Sequence, residues 1–129
     1  MALEGDAVPH LKKALRIIQH RGQESAGIAV STGGAISYVR GMGLVHEVLT
    51  GRQYNALAGN RGIGHVRYST SGSSCAENCQ PITVTTKEGD LALAHNGDIV
   101  NAGSIRDKLQ SEGWAFLTSS DSEIIVRML

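Results

Sequence analysis

Four short segments of the chain hold the polar side chains whose types could support chemistry. Their sequences are QHRGQESAGI at 19–28, GIGHVRYSTSG at 62–72, LAHNGDIVN at 93–101 and SSDSE at 119–123. Hydrolysis of a carboxamide needs a nucleophile, a base, donors for the developing oxyanion, and charges that fix the substrate. Residue types suited to the donors and to the charges occur in these segments.

Each candidate residue also has an ordinary structural explanation. Asn96-Gly97 is a common turn dipeptide, and a strand arginine such as Arg67 is usually a solvated surface residue. Asp121 suits the first turn of a helix, where the helix dipole favours a negative charge. An unpartnered histidine at the end of an element is more often structural, so none of the five histidines is assigned a catalytic role. Residue types alone leave these alternatives open.

The first half of the chain predicts one helix followed by strands. Apolar residues at 8, 11, 15 and 18 predict an amphipathic helix from Asp6 to His20, capped by Asp6 and stopped at Gly22. Two glycines between β-branched runs predict a hairpin over 26–40. Residues 45–58 are expected to be helical and residues 61–69 extended, which places Arg67 near the end of a strand.

The second half predicts another hairpin and two helices. Strands at 82–86 and 91–95 flank a turn at 87–90, so the second strand leads directly into His95-Asn96-Gly97. A helix over 102–112 follows, and Ser120 and Glu123 are spaced as a capping box before a last helix. Grouped hairpins and helices, without β-α-β alternation, predict an α+β fold with a largely antiparallel sheet.

Length and composition narrow the class of protein. A chain of 129 residues fits one domain with a sizeable core. Twelve basic residues balance twelve acidic ones, which argues against nucleic acid or a membrane surface as partners. The sequence contains neither an apolar run of transmembrane length nor a signal peptide, so a cytoplasmic location is expected.

The two cysteines, Cys75 and Cys79, have a spacing unlike that of a metal or redox motif. No metal site is therefore predicted. The favoured interpretation of both is a small buried or inert thiol.

Together, the four segments resemble the glutaminase domain of class II glutamine amidotransferases, a family of N-terminal nucleophile hydrolases. HRGQESAG and YSTSGSS followed by NCQP are similar to its amidophosphoribosyltransferase branch. The resemblance implies a four-layer αββα sandwich, with two stacked antiparallel sheets covered by helices on both outer faces. It also implies that residues 1–129 are one incomplete glutaminase domain, truncated at both ends, of a glycosyltransferase of de novo purine synthesis.

The resemblance assigns roles to individual residues. The Asn96 side-chain amide and the Gly97 backbone N–H would form the oxyanion hole. Arg67 would bind the α-carboxylate of glutamine, Asp121 would hold its α-ammonium group, and Thr70 would line the pocket. Supporting positions would be Tyr68 at the edge of the site, and Arg21 and Gly22 beside the catalytic cysteine. Without the resemblance, Arg21 and Gly22 fit a cation at a helix C-terminus and its glycine stop.

The family's nucleophile is a cysteine at the first position of the mature chain, whereas this sequence begins Met1-Ala2-Leu3. We therefore expect this polypeptide by itself to lack glutaminase activity. Glutamine is the expected ligand, and no cofactor is expected in this domain. The resemblance implies a missing domain that binds phosphoribosyl pyrophosphate, with Mg²⁺, and a homo-oligomeric full-length enzyme.

A different class of function fits the same residues. A non-catalytic glutamine-binding or regulatory module derived from this fold would keep Arg67, Asn96, Gly97 and Asp121 and would need no thiol. The two hypotheses differ in whether the gene encodes Cys-Gly and a short apolar strand immediately upstream of Leu3.

Overall fold

A computed structural model describes residues 5–68 and 75–129, and its first element is the predicted amphipathic helix, α1, Val8–Ile17. The N-cap residue is Ala7 and not Asp6 as predicted, but the Asp6 carboxylate accepts the Val8 N–H at 3.0 Å and so satisfies the first donor of the helix. The apolar face is shorter than the spacing predicts. Because the α-helix ends at Ile17, Ile18 turns outward and is 39% exposed, and a 3-10 turn over Gln19–Arg21 follows.

Three antiparallel strands form the first sheet. They are β1, Ser25–Thr32, β2, Ala35–Met42, and β3, Arg61–Arg67, in the order β2-β1-β3. The predicted hairpin is confirmed, and its turn consists of Gly33 and Gly34 with φ of 60° and 94°. Two consecutive positive φ angles suit the tight turns that match strand twist, and glycine adopts them without strain.

Residues 45–58 form two short helices where one is predicted, namely α2, Val45–Val48, and α3, Gly51–Asn55. The chain breaks between them because Thr50 is extended and Gly51 has a φ of 75°, which no α-helix continues through. The helices α1 and α2 cover one face of the first sheet. The buried core there includes Leu11, Leu15, Ala26, Ile28, Val30, Val45, Leu49 and Val66.

Two glycines of β3 bring α1 close to the sheet. A Cβ atom at Gly62 would lie 2.7 Å from Leu11, and one at Gly64 would lie 2.9 Å from Leu15. Since successive strand residues point to opposite faces, His65 and Arg67 project from the other face, away from α1. The close packing of the helix thus leaves the opposite face of β3 for polar side chains.

A second, two-stranded sheet consists of β4, Ile82–Thr86, and β5, Gly89–Leu93. The predicted strand at 91–95 is therefore shifted, because Gly89 and Asp90 pair with Thr86 and Thr85 and leave only Lys87-Glu88 in the turn. His95 lies two residues beyond the strand. Two helices complete the structure, α4, Ala102–Ser111, and α5, Ser122–Met128.

The predicted capping box before α5 is wrong. The Glu123 carboxylate accepts hydrogen bonds from the Leu117 and Thr118 N–H groups, and the Ser120 N–H donates to Asn78 Oδ1 and Thr118 Oγ1. Both groups that would close the box are thus engaged with other partners.

The two sheets are linked by polar contacts, and helices lie on their outer faces. Arg40 Nη1 donates to the Pro81 carbonyl at 2.5 Å, and the Ile36 N–H donates to Asp90 Oδ2 at 3.3 Å. Helix α5 packs on β4 and β5, as α1 packs on β1 and β3. The predicted α+β sandwich of two antiparallel sheets between helices is confirmed. Within residues 5–68 and 75–129, no helix combines the length and the apolar character needed to cross a bilayer.

Candidate active site

A small polar cleft lies where the end of β3, the loop after β5 and the start of α5 meet. Its lining comprises His65, Arg67, Tyr68, Gln80, His95, Asn96, Gly97, Ser120, Asp121 and Ser122. Four of the residues singled out from the sequence, at positions 67, 96, 97 and 121, therefore share one site. Thr70 falls outside the described part of the chain.

Arg67 supplies the positive charge of the cleft. The residue is 5% exposed, and Nη1 forms an ion pair with Glu24 Oε1. A buried charge needs such a partner, because removal from water otherwise costs several kcal/mol. Glu24 belongs to the 19–28 segment, so two of the four segments meet at this ion pair.

Gly22 lies against the backbone of β3 beneath Arg67. A Cβ atom at this position would be 2.6 Å from the Arg67 carbonyl carbon and 2.7 Å from that of Val66. The φ of Gly22 is −170°, so it is not the left-handed helix stop that the sequence suggests. Its smallness instead allows the turn to pack on the strand that carries Arg67.

The loop with Asn96 and Gly97 is exposed at its centre and anchored at both ends. The His95 N–H donates to Gln80 Oε1 at 2.7 Å, and the Ile99 N–H donates to Asp121 Oδ2 at 2.8 Å. Side chains from two other segments therefore fix both ends of the loop between β5 and α4.

Asp121 supplies the negative charge. It is 6% exposed, it accepts the Ile99 N–H, and its Oδ1 lies 3.3 Å from the Ser122 hydroxyl. The Ser122 hydroxyl also accepts from Gln80 Nε2 at 3.2 Å and lies 3.2 Å from His95 Nδ1. A carboxylate offers about four lone-pair positions, so these contacts are compatible with a bound cation.

His65 occupies the floor of the cleft as a neutral imidazole. Burial, together with the adjacent Arg67 charge, lowers its pKa from the ordinary 6.5 to about 4. Among the described residues that line the cleft, Arg67 supplies a positive charge, Asp121 supplies a carboxylate, and His65 is an uncharged ring.

The supporting residues from the sequence have different positions. Tyr68 lines the rim and is 69% exposed. Arg21 is exposed in the 3-10 turn and is not among the residues that line the cleft.

Neither cysteine lies in the cleft. Cys79 is buried, as predicted, with its sulfur 3.5 Å from Met42 Sδ, and burial raises the pKa of its thiol. Cys75 is half-buried. None of the described residues that line the cleft is a cysteine.

Several residues that shape the cleft were missed in the sequence. Asn78 and Gln80 are 0% and 4% exposed and hold the backbone of the two loops of the site. The motif NCQP was a signal for them, but residue types gave no reason to select an amide over its neighbours. Glu24 and His65 likewise lie inside noted segments without having been assigned a role.

Residues 51–129 match the model of a protein family described as a glutamine amidotransferase domain. The chain belongs to this family. It is 50% identical over 127 residues to amidophosphoribosyltransferase from Archaeoglobus fulgidus, with 98% of this chain and 28% of that protein covered. It is 48% identical over 127 residues to the Homo sapiens enzyme of the same name, with 95% and 25% covered.

Two solved structures share the fold of this glutamine amidotransferase domain. One is the B. subtilis glutamine phosphoribosylpyrophosphate amidotransferase complexed with ADP and GMP, with a TM-score of 0.87 and 38% identity over 97% of this chain and 27% of that one. The other is described as the allosteric regulatory enzyme of purine biosynthesis, with a TM-score of 0.90, 38% identity, and 98% and 27% covered. The chain spans about a quarter of the length of the curated relatives it matches.

Proposed function

We propose that this domain binds L-glutamine in the cleft and forms the glutaminase site of an amidophosphoribosyltransferase, which supplies ammonia for phosphoribosylamine in purine synthesis. The observation that carries the proposal is the placement of Arg67 and Asp121 in one cleft with Asn96-Gly97. Glutamine has one charge of each sign at its α-carbon, and each finds an opposite charge here. The names of the similar proteins support the same reaction.

The chemistry divides between this chain and an N-terminal cysteine of the family type. The thiolate attacks the amide carbon of glutamine, ammonia leaves with a proton from the α-amino group, and water then hydrolyses the glutamyl thioester. The Asn96 amide and the Gly97 N–H stabilise the oxyanion at each tetrahedral stage. The ion pair with Glu24 restricts the Arg67 guanidinium, which in this proposal binds the substrate carboxylate.

The wider setting follows from the same proposal. Phosphoribosyl pyrophosphate and Mg²⁺ bind to a separate phosphoribosyltransferase domain of a homo-oligomeric cytoplasmic enzyme. The glutaminase domain itself uses no cofactor and contacts neither nucleic acid nor membrane.

Calorimetric titration with three ligands tests the two charge contacts. The ligands are L-glutamine, 4-carbamoylbutanoate, which lacks the ammonium group, and 4-aminobutanamide, which lacks the carboxylate. The wild-type domain should prefer glutamine to both. Asp121→Asn should abolish the preference over 4-carbamoylbutanoate, and Arg67→Gln the preference over 4-aminobutanamide.

Matched control variants are available on the surface. Arg61→Gln changes an exposed arginine of the same strand, and Asp107→Asn changes an exposed aspartate of α4. Both should leave the three affinities unchanged. A folded wild-type domain that binds all three ligands equally, or none at millimolar concentration, would refute the proposal.

A glutamine-binding module without hydrolysis is the second candidate. It is favoured by the absence of a cysteine among the described residues that line the cleft. Glutamate release by an amidotransferase that joins this domain to an N-terminal cysteine would exclude it.

A further inference from the structure

We propose that Asn78 and Gln80, two residues apart, position the two halves of the glutamine site separately. Asn78 holds the loop that leads to Asp121, and Gln80 holds the loop that carries Asn96 and Gly97. The inference rests on the proposed function, because it assigns each half of the site a different step in the reaction.

Asn78 forms hydrogen bonds with the backbone just before α5. Its Oδ1 accepts the N–H groups of Ser119 and Ser120, each at 3.1 Å, and its Nδ2 donates to Ser119 Oγ at 2.8 Å. The side chain is completely buried. Buried backbone donors need partners, so this amide fixes the path of the chain immediately before Asp121.

Arg106 of α4 completes the support of the same loop from the other side. Its guanidinium donates to the Thr118 carbonyl at 3.0 Å and to the Ser120 carbonyl at 2.8 Å. Asn78 thus binds two N–H groups of the loop, and Arg106 binds two of its carbonyl groups. Asp121 is presented by backbone held on both sides.

Gln80 holds the other loop against the first residue of α5. Its Oε1 accepts the His95 N–H at 2.7 Å, and its Nε2 donates to Ser122 Oγ at 3.2 Å. His95 immediately precedes Asn96, so the hydrogen bond fixes the residue from which the oxyanion donors extend. Cys79, between the two amides, packs on Met42 and contributes no contact to either loop among those described.

The two loops serve different stages of the reaction. Asp121 would bind the ammonium group of glutamine both before and during reaction, so misplacing it should weaken binding and raise KM. Asn96 and Gly97 would bind an oxyanion that exists only once the carbon is tetrahedral, so misplacing them should lower kcat with little change in KM. A purely structural role would produce the same signature at both positions.

Steady-state kinetics of an amidotransferase that contains this domain can separate these possibilities. Asn78→Leu should raise the KM for glutamine about tenfold, and Gln80→Met should lower kcat about tenfold, as expected for buried hydrogen bonds. Cys79→Ala is the matched control, because Cys79 lies between the two amides and contributes no contact to either loop among those described, so it should leave both parameters unchanged. Ammonia-dependent synthesis should be unchanged in all three variants. Equal effects on kcat and KM at both positions would refute the inference.

Amide hydrogen exchange in this chain gives a second readout that does not require activity. Gln80→Met should speed exchange at His95 and leave Ser119 protected, whereas Asn78→Leu should do the reverse. Loss of protection at both amides in either variant would contradict separate positioning. This pattern is independent of glutamine binding, so a domain with the expected exchange but no affinity for glutamine would refute only the proposed function.

Discussion

Gly22→Ala should destabilise the protein and weaken glutamine binding together, because the structure leaves no space for a side chain there. The new Cβ atom would lie 2.6 Å from the carbonyl carbon and 2.7 Å from the carbonyl oxygen of Arg67. These are backbone atoms of β3, so no side-chain rotation can relieve the clash. The φ of −170° suits any residue, so the cost comes from packing and not from backbone strain.

The magnitude follows from the contact distances. Ordinary contact begins at 3.4 Å, so the turn and the strand must separate by about 0.8 Å. Overpacking of this kind costs about 1–3 kcal/mol. The same displacement moves Arg67. In catalysis, a displacement near 1 Å in a group that positions the substrate can lower the rate about 10²-fold. We expect glutamine affinity to fall at least tenfold.

Urea unfolding and calorimetric titration with glutamine measure the two effects. Gly103→Ala is the matched control, because it lies in α4 and nothing is within 4 Å of its Cβ position. It should stabilise the helix by about 0.5–1 kcal/mol and leave affinity unchanged. If Gly22→Ala were as stable as the wild type and bound glutamine equally well, the close approach of Gly22 to β3 would be refuted.

Three further predictions address single residues. Asn96→Ala, in an amidotransferase that contains this domain, should lower glutamine-dependent kcat by about 10²–10³-fold while ammonia-dependent synthesis survives; near-normal turnover would make Asn96-Gly97 only a turn. Glu24→Gln should cost about 1.5–3 kcal/mol in urea unfolding, because buried Arg67 loses its charged partner; unchanged stability would show that the ion pair contributes nothing. The folded-state pKa of His65 is depressed to about 4, so the wild type should lose about 3 kcal/mol of stability between pH 6.5 and 4 as the unfolded chain takes up the proton. Urea unfolding of His65→Leu should not show this loss. Parallel pH profiles of stability for the two proteins would contradict the prediction.

Local sequence patterns predicted the elements that are determined by residues close together in the chain. The spacing of Leu11 and Leu15 specified α1, and Gly33-Gly34 specified the hairpin, because periodicity and turn geometry act within a few residues. The capping box before α5 failed for the opposite reason. Asn78, 42 residues earlier, takes the Ser120 N–H, and no local motif contains that competition.

The candidate site likewise contains residues that the sequence identified and residues that only the fold reveals. Resemblance selected Arg67, Asn96, Gly97 and Asp121, and the fold places all four in one cleft. It selected neither Glu24 nor Gln80, because their importance depends on which backbone or charged group lies across the fold. Glu24 matters because it pairs with Arg67, 43 residues away in the sequence. Gln80 matters because it accepts the His95 N–H, 15 residues away.

The two loops of the cleft have little regular structure, and this explains why distant side chains control them. A buried N–H group outside a helix or sheet must find another acceptor. Here the acceptors are side-chain oxygens, from Gln80 for His95, from Asp121 for Ile99, from Asn78 for Ser119, and from Glu123 for Leu117. Asp121 therefore has two functions, since the carboxylate proposed to hold the ammonium group of glutamine also anchors the far end of the loop with the oxyanion donors. Gln80 holds the near end of the same loop at His95, and Asn96 directly follows that end. The position of the oxyanion donors therefore depends first on Gln80, whereas binding of the substrate ammonium group depends on Asp121.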